Sequence, residues 1–388
     1  MRKSSGWAAD VAVVGGGVAG LAAARELARR GLGVTLVEAG APGAGASGAA
    51  AGMLAPQAEA DRDDELFGLL CASREMYPAF ADALRDETGI DIELDRTGTL
   101  YLAFDERDEE EAARRFEWQS SAGLAVERLT AEEARRLEPR ISPRVRGALL
   151  FPRDWQVENR LLVRALRASA EASGARVVEG VSALGLSVEG GRVGGVETAE
   201  GTLAAGAVVV AAGAWSSHLE GAPAAPRVEP VRGQVLCFLQ DDPREPFVRH
   251  VVYGPRGYLV PRRDGRLLAG STTERAGFDC RVTEEGVRSV RAQAAEIAPA
   301  VSSLALSDSW AGLRPRAPDG LPVIGESAEV GGLFYAAGYY RNGILLAPAS
   351  GELVADLVTG RTTRVSPRAL STFSPARFRA AHAGPRGK

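Results

Sequence analysis

Gly15, Gly17 and Gly20 stand in G-x-G-x-x-G spacing, and Glu38 follows at roughly the twenty-residue distance where a ribose hydroxyl is bound. This arrangement holds a phosphate chain. The first glycine permits a tight turn, the second lets backbone approach a pyrophosphate, and the third lets the next helix pack on the preceding strand. Other chemistry-bearing residue types are sparse. The only lysines are Lys3 and Lys388, which excludes a core Schiff-base lysine, ordinary pyridoxal phosphate chemistry and a Walker-type loop. His218, His250 and His382 are far apart, lack metal-ligand spacing, and read as surface or partly buried polar residues. Cys71, Cys237 and Cys280 form neither a disulfide framework nor a metal motif; each reads as a small buried hydrophobe. No metal is expected, and the thiols suit a reducing cytoplasm.

The elements around the glycines agree with that reading. Val11 to Val14 is an apolar run suited to a buried parallel strand, Leu21 to Arg30 reads as a helix, and Val34 to Val37 as a second strand. The helix N-terminus can hold phosphate. Strand, turn, helix, strand and acid in order point to a dinucleotide site. NAD and FAD both fit; Glu38 would repel the 2′-phosphate of NADP. Residues 39–60, dominated by small side chains, read as a close-packed loop and helix start lying against the cofactor. Asp63 to Thr88 is expected as a helix, and Ile90 to Phe104 as antiparallel strands with a turn at Arg96 to Gly98. Thr130 and Glu133 form a capping box, Gly190-Gly191 marks a hairpin, and a buried strand runs from Ala207 to Ala212. The chain thus returns to nucleotide-binding elements after antiparallel β segments. The expected fold is α/β: a Rossmann-like domain over 1–86, 140–220 and 306–388, with a second, mainly antiparallel β substrate-binding domain over 87–139 and 221–305.

At 388 residues the chain can hold two linked domains. Its net charge of -4 gives no reason to expect nucleic acid as a partner, and no apolar stretch is long enough to span a membrane.

"GASGAAAGML", "FPRDWQVENRLLVRAL", "VVVAAGAW", "WAGLRPRAPDGLPVIG" and "AAGYYRNGILLAPASGELVADL" occur in the order seen in FAD-dependent amino-acid oxidases of the glycine oxidase and D-amino-acid oxidase type. The chain resembles that family over almost its whole length, most of all the glycine oxidases of thiazole biosynthesis. The resemblance implies FAD as cofactor, held by the Gly15–Gly20 turn with Val18 and Ala19, by Glu38 and Ala39 at the ribose, and by Ala46, Ser47, Ala51, Gly52 and Met53 beside the flavin. Ala183 and Gly213 join this set, as does the run Tyr339, Tyr340, Arg341, Asn342, Gly343, Ile344 and Leu345, with a helix from near Ile344 aimed at the flavin. Arg314 matches the substrate-carboxylate anchor, Tyr258 a tyrosine that assists it, and Arg341 an arginine near the substrate. Three positions depart from close relatives: Tyr339 stands where His is frequent, Arg256 where a His can sit, and Thr273 where one subgroup has Met. The absent core lysine separates the chain from monomeric sarcosine oxidases.

The resemblance further implies oxidative deamination of glycine, sarcosine or D-alanine by hydride transfer to flavin N5, yielding imine or glyoxylate, ammonia and hydrogen peroxide. The partners expected are the small amino acid, oxygen, a thiazole synthase and further copies of the chain in a homo-oligomer. Alternatives are a dehydrogenase of D-amino acids passing electrons to a quinone or carrier, the flavin domain of a tRNA-modifying enzyme, and a dinucleotide sensor without turnover.

Overall fold

The opening strand, Ala8–Val14, is buried over its second half on both faces: Val11 and Val13 enter one core, Ala12 and Val14 another, as pleating requires. The structure is a computed structural model and describes residues 7–222, 227–240, 242 and 244–382. This strand lies inside an eight-stranded sheet, parallel to Val34–Glu38 on one side and Gly201–Val210 on the other. Arg176–Glu179 and Leu333–Ala337 extend it in parallel, and Val323–Glu326 closes an edge antiparallel. The helices Val18–Arg29, Asn159–Ala172 and Ala347–Thr359 share one core with Val11 and Val13. The opposite core is closed by the hairpin Ala183–Glu189 and Arg192–Thr198, whose turn falls at Gly190-Gly191.

A second eight-stranded sheet runs in the order Ala305–Arg316, Glu229–Leu239, Arg266–Gly270, Gly257–Pro261, Val251–Gly254, Thr99–Ala103, Gly147–Phe151, Glu127–Thr130. The helix Glu284–Ile297 covers one face with Val290, Ala294 and Ile297; the other face, with Val235, Val260 and Leu268, packs against Ala51 of the first unit. The α/β class with a Rossmann-like unit and a mainly antiparallel sheet is therefore as expected.

Several local expectations need correction. The strands Gly147–Phe151 and Ala305–Arg316, placed by sequence on the cofactor side of the boundaries at 139/140 and 305/306, pair in the second sheet. Their partners are distant in sequence and leave no local signal. Within 90–104 only Thr99–Ala103 forms a strand, and it pairs parallel to Val251–Gly254 and antiparallel to Gly147–Phe151. Asp91 and Asp95 divert the preceding backbone into side-chain-capped turns, accepting from Glu93 N at 2.8 Å and Thr97 N at 2.9 Å, which competes with a ladder. The long helix is Glu65–Thr88, capped by Asp64, and the Thr130–Glu133 box is present. Cys237 is buried as expected, but Cys71 is half-buried and Cys280 exposed. His250 is buried against Glu138, Nδ1 lying 2.7 Å from Oε1.

Between the sheets a buried polar cluster fixes the short helix Pro56–Glu59. Asp154 accepts from Gln57 N at 3.3 Å, Ala58 N at 2.7 Å and Arg74 Nη1 at 2.9 Å. Burial pushes the Asp154 carboxyl up to about 7, against the pull of Arg74 and the amides. Asp154→Ala would remove the fully buried acid from the Arg74 guanidinium, whose side chain is 3% exposed, and leave it Gln57 and the 40% exposed Glu75 at 3.0 Å. Because Glu75 still pairs with that guanidinium, the loss in stability is expected to be about 1–3 kcal/mol, the cost of leaving the buried Gln57 and Ala58 amides unpaired. A denaturant midpoint equal to that of the wild type would show that this cluster does not hold the fold.

Candidate active site

One cavity of about 890 Å³ gathers nearly every residue singled out above. Gly15, Gly17, Val18 and Ala19 line it, but Gly20 does not. A Cβ on Gly20 would stand 2.0 Å from the Gly15 carbonyl oxygen, so this glycine serves helix-on-strand packing. The helix Val18–Arg29 begins without a side-chain cap and without an acid in its first turn. Val18 N donates to Ser47 Oγ at 3.1 Å, and the uncapped terminus suits an anion. Glu38 ends the second strand; Oε2 accepts from Gly16 N at 2.7 Å and Oε1 from Gly40 N at 2.9 Å. Ala39, Ala46, Ser47, Ala51, Gly52, Met53, Ala183 and Gly213 also line the cavity, as does the run from Tyr339 to Leu345.

Arg314, Tyr258 and Arg341 line the same cavity. Arg314 comes from the strand Ala305–Arg316, two and four residues beyond Gly312 and Trp310 and hence on their face. Trp310 Nε1 donates to Ala49 O at 3.0 Å, and a Cβ on Gly312 would lie 2.5 Å from Ala49 Cβ. The strand is thus docked on the short helix Ala46–Ala49, within the small-residue stretch, where it delivers Arg314. The guanidinium lies flat on Gly233, where a Cβ would meet Nη1 at 2.1 Å. It donates to Thr272 O at 3.1 Å and Ser271 Oγ at 2.6 Å, and no carboxylate of the described residues pairs with it. Tyr258 rests on Gly270, where a Cβ would stand 2.2 Å from its hydroxyl. Burial raises the Tyr258 hydroxyl above the ordinary phenol range despite Arg314, so it stays a neutral donor. Tyr340, at φ 51°, donates its N–H to Pro315 O at 2.7 Å and hands the chain to Arg341. Arg341 stacks on the Tyr340 ring at 5.3 Å and donates to Thr273 Oγ1 at 3.3 Å, again without an acid partner among the described residues.

The final helix begins at Ala347 rather than near Ile344. Pro348 sits in its first turn, and turns precede it, with Leu346 N bonded to Asn342 O at 2.8 Å. Sequence reasoning missed the residues that hold this run: Tyr77 donates its hydroxyl to Ile344 O, and Ser73 Oγ donates to Leu345 O at 2.7 Å. Arg262 was missed as well. Fully enclosed, it donates to Ala51 O at 2.8 Å and Val157 O at 3.0 Å, while Glu158 lies 3.0 Å from its Nε. In the sequence it sits in "PRRDG", which reads only as a turn. Glu59, Trp215 and His218 also line the cavity unannounced. Among the described residues no group of three His, Cys, Asp or Glu could hold a metal, and no helix is long and apolar enough to cross a membrane.

Comparison with known proteins agrees with this architecture. The family described as FAD dependent oxidoreductase (DAO) matches residues 10–357. The chain is similar to a glycine oxidase of Geobacillus kaustophilus (strain HTA426), 41% identical over 372 residues, which are 95% of this chain and 97% of that one. It is also 36% identical to a bifunctional protein ThiO/ThiG of Synechocystis sp., matching 95% of this chain and 54% of that protein. The crystal structure of glycine oxidase from Geobacillus kaustophilus superposes with a TM-score of 0.91 at 39% identity, covering 96% of this chain and 99% of that one.

The glycine geometry separates folding from binding. At Gly17 an added Cβ meets only Ser47 Oγ, at 3.2 Å, whereas at Gly20 it meets immovable backbone at 2.0 Å. Gly20→Ala should therefore lower apoprotein stability by about 1–3 kcal/mol, the usual cost of overpacking. Gly17→Ala should leave apoprotein melting close to wild type and weaken FAD retention on dilution. Equal effects of both changes on apoprotein melting would refute this division of roles.

Proposed function

The chain belongs to the FAD dependent oxidoreductase family and is an FAD-dependent amino-acid oxidase, and on that premise we propose that its substrate is glycine or a similarly small amino acid. The products would be the keto acid (glyoxylate from glycine), ammonia and hydrogen peroxide, with oxygen as final acceptor. The observation that carries this reading is the pair Arg314 and Arg341, set in one cavity with no carboxylate partner among the described residues. A planar guanidinium held in that way is built to receive a carboxylate.

The residues present fit FAD. The uncapped helix terminus can take the pyrophosphate, Glu38 stands at the end of the second strand for the ribose, and the stretch from Gly43 to Gly52 lines the cavity with Gly, Ala and Ser residues that leave room for a ring. When bound, FAD supplies the two-electron acceptor. The chain's own residues bind and orient. Arg314 uses some of its N–H groups on Thr272 O and Ser271 Oγ, which fixes its plane and leaves the others for the substrate carboxylate. Tyr258, kept neutral, can donate a further hydrogen bond to that carboxylate. Position and charge of this kind can replace a proton-transferring side chain for an amino acid that arrives with a neutral amine. The resemblance to thiazole-pathway oxidases and the similarity to a protein named ThiO/ThiG support a coupling of this reaction to a thiazole synthase.

Anaerobic glycine should bleach the visible flavin spectrum of the purified yellow protein, and air should restore it with release of peroxide. No bleaching with glycine, sarcosine or D-alanine would overturn the proposal. Arg314→Lys offers a point charge in place of a fork, and should raise KM for glycine roughly thirty-fold or more. FAD content should not change. Glycine kinetics unaltered by this change would move the anchor elsewhere, and loss of FAD would make Arg314 structural.

A further inference from the structure

Glu59 ends the short helix Pro56–Glu59 and lines the cavity together with Arg314, Arg341, Tyr253 and Tyr258. Its backbone is pinned on both sides. Asp154 holds the amides of Gln57 and Ala58, and Arg115 Nη1 donates to Ala58 O at 3.0 Å and Ala60 O at 2.5 Å. Arg115 itself is neutralised by Asp61 at 2.6 Å and Glu111 at 2.9 Å. The Glu59 carboxylate, by contrast, has no hydrogen-bond or ion-pair partner among the described residues, although a firmly held helix presents it. Burial pushes its carboxyl up, and Arg341, then Arg314, pull it down.

The other charges on the walls are already committed. Glu38 accepts from two backbone amides, and Arg256 is tied to Asp105 at 2.8 Å and Glu296 at 3.2 Å. What remains is Arg314 and Arg341 against Glu59, one positive charge in excess. A substrate with one carboxylate balances that charge. A substrate with a second anionic group adds a negative charge that no unpaired cation among the described residues of the cavity wall balances, in the same cavity as Glu59.

Resting on the proposed amino-acid oxidation, the geometry points to Glu59 as the residue that sets substrate charge: it offsets one of the two arginines, so the cavity accepts monocarboxylic amino acids and rejects those with a second acid group. Glu59 is a specificity-determining residue in this account, neither the carboxylate anchor nor a base.

The test uses the FAD-loaded protein and two ethers that cannot be oxidised at nitrogen: methoxyacetate, with one carboxylate, and oxydiacetate, with two. Each is titrated against the flavin spectrum in wild type, Glu59→Gln and Glu59→Asp. Glu59→Gln should lower the Kd for oxydiacetate relative to methoxyacetate by roughly ten-fold or more, the scale of one like-charge contact in a partly desolvated site. Glu59→Asp keeps the charge and should stay near the wild-type ratio. In turnover, the preference for iminodiacetate over glycine should rise in the Gln variant in the same sense. A Kd ratio unchanged in Glu59→Gln overturns the inference, as does an equal shift of both ligands. So does a loss of glycine kcat with a displaced pH profile at constant ratio, which would make Glu59 a partner of the amine. Failure of glycine to bleach the wild-type flavin would overturn the oxidation reading alone, because the analogue ratio still decides the role of Glu59.

Discussion

Arg314 is held by neutral oxygens. Thr272 O and Ser271 Oγ accept from it, Gly233 gives it a flat bed, and Tyr258 stands beside it as an uncharged hydroxyl. Removing a cation from water without a counter-ion is costly, and burial accordingly lowers the pKa of this guanidinium. The dipoles around it offset part of that cost and fix its plane without using up its charge. A carboxylate partner would have favoured folding more, but would have closed the site to an acidic ligand.

The chain pairs its other enclosed arginines differently. Arg74 meets Asp154, Arg25 meets Glu87 at 2.7 Å, Arg262 has Glu158 at 3.0 Å, and Arg232 is bound to Glu274. Each of these clamps joins segments distant in sequence. Arg262 ties the end of a second-sheet strand to Ala51 and Val157, on the cofactor side of the cavity. The contrast is one of contact: the arginines bonded to an acid hold distant segments together, whereas Arg314 and Arg341 line a cavity with no carboxylate of the described residues bonded to either, an arrangement that favours binding over stability.

The parts of this arrangement legible in the sequence are those with a local cause. The glycine turn, the helix behind it and Glu38 were legible because pyrophosphate binding needs them within one short unit. Arg314 stood out by its family context in "GLRP". The rest depends on contacts between segments that no local pattern connects. Nothing near Tyr77 or Ser73 signals that a helix at 65–88 will hold the carbonyls of Ile344 and Leu345. Gly233 and Gly270 look like weak points in strands, and only the folded sheet shows that side chains lie on them. The strand expected between Ile90 and the turn at Arg96 failed for a local reason: Asp91 and Asp95 offer their own backbone competing hydrogen bonds, a signal present in the sequence but outweighed by alternation.

Register then explains how Arg314, the proposed carboxylate anchor on one sheet, is aligned with the glycine turn of the other. Along Ala305–Arg316, Trp310, Gly312 and Arg314 share a face. The first bonds Ala49 O, the second admits Ala49 at close range, and the third enters the cavity. The same strand is fixed laterally by pairing with Glu229–Leu239, in which Gly233 lies opposite Gly312 and Val231 opposite Arg314. A slip of one residue would put the Leu313 side chain on the face that now carries Arg314 and turn the guanidinium to the other face of the sheet. It would also set a side chain against Ala49 where only glycine fits. The contact that docks the strand and the charge that lines the cavity are therefore one geometric condition: any packing that seats Trp310 and Gly312 on the helix Ala46–Ala49 also places Arg314 over Gly233.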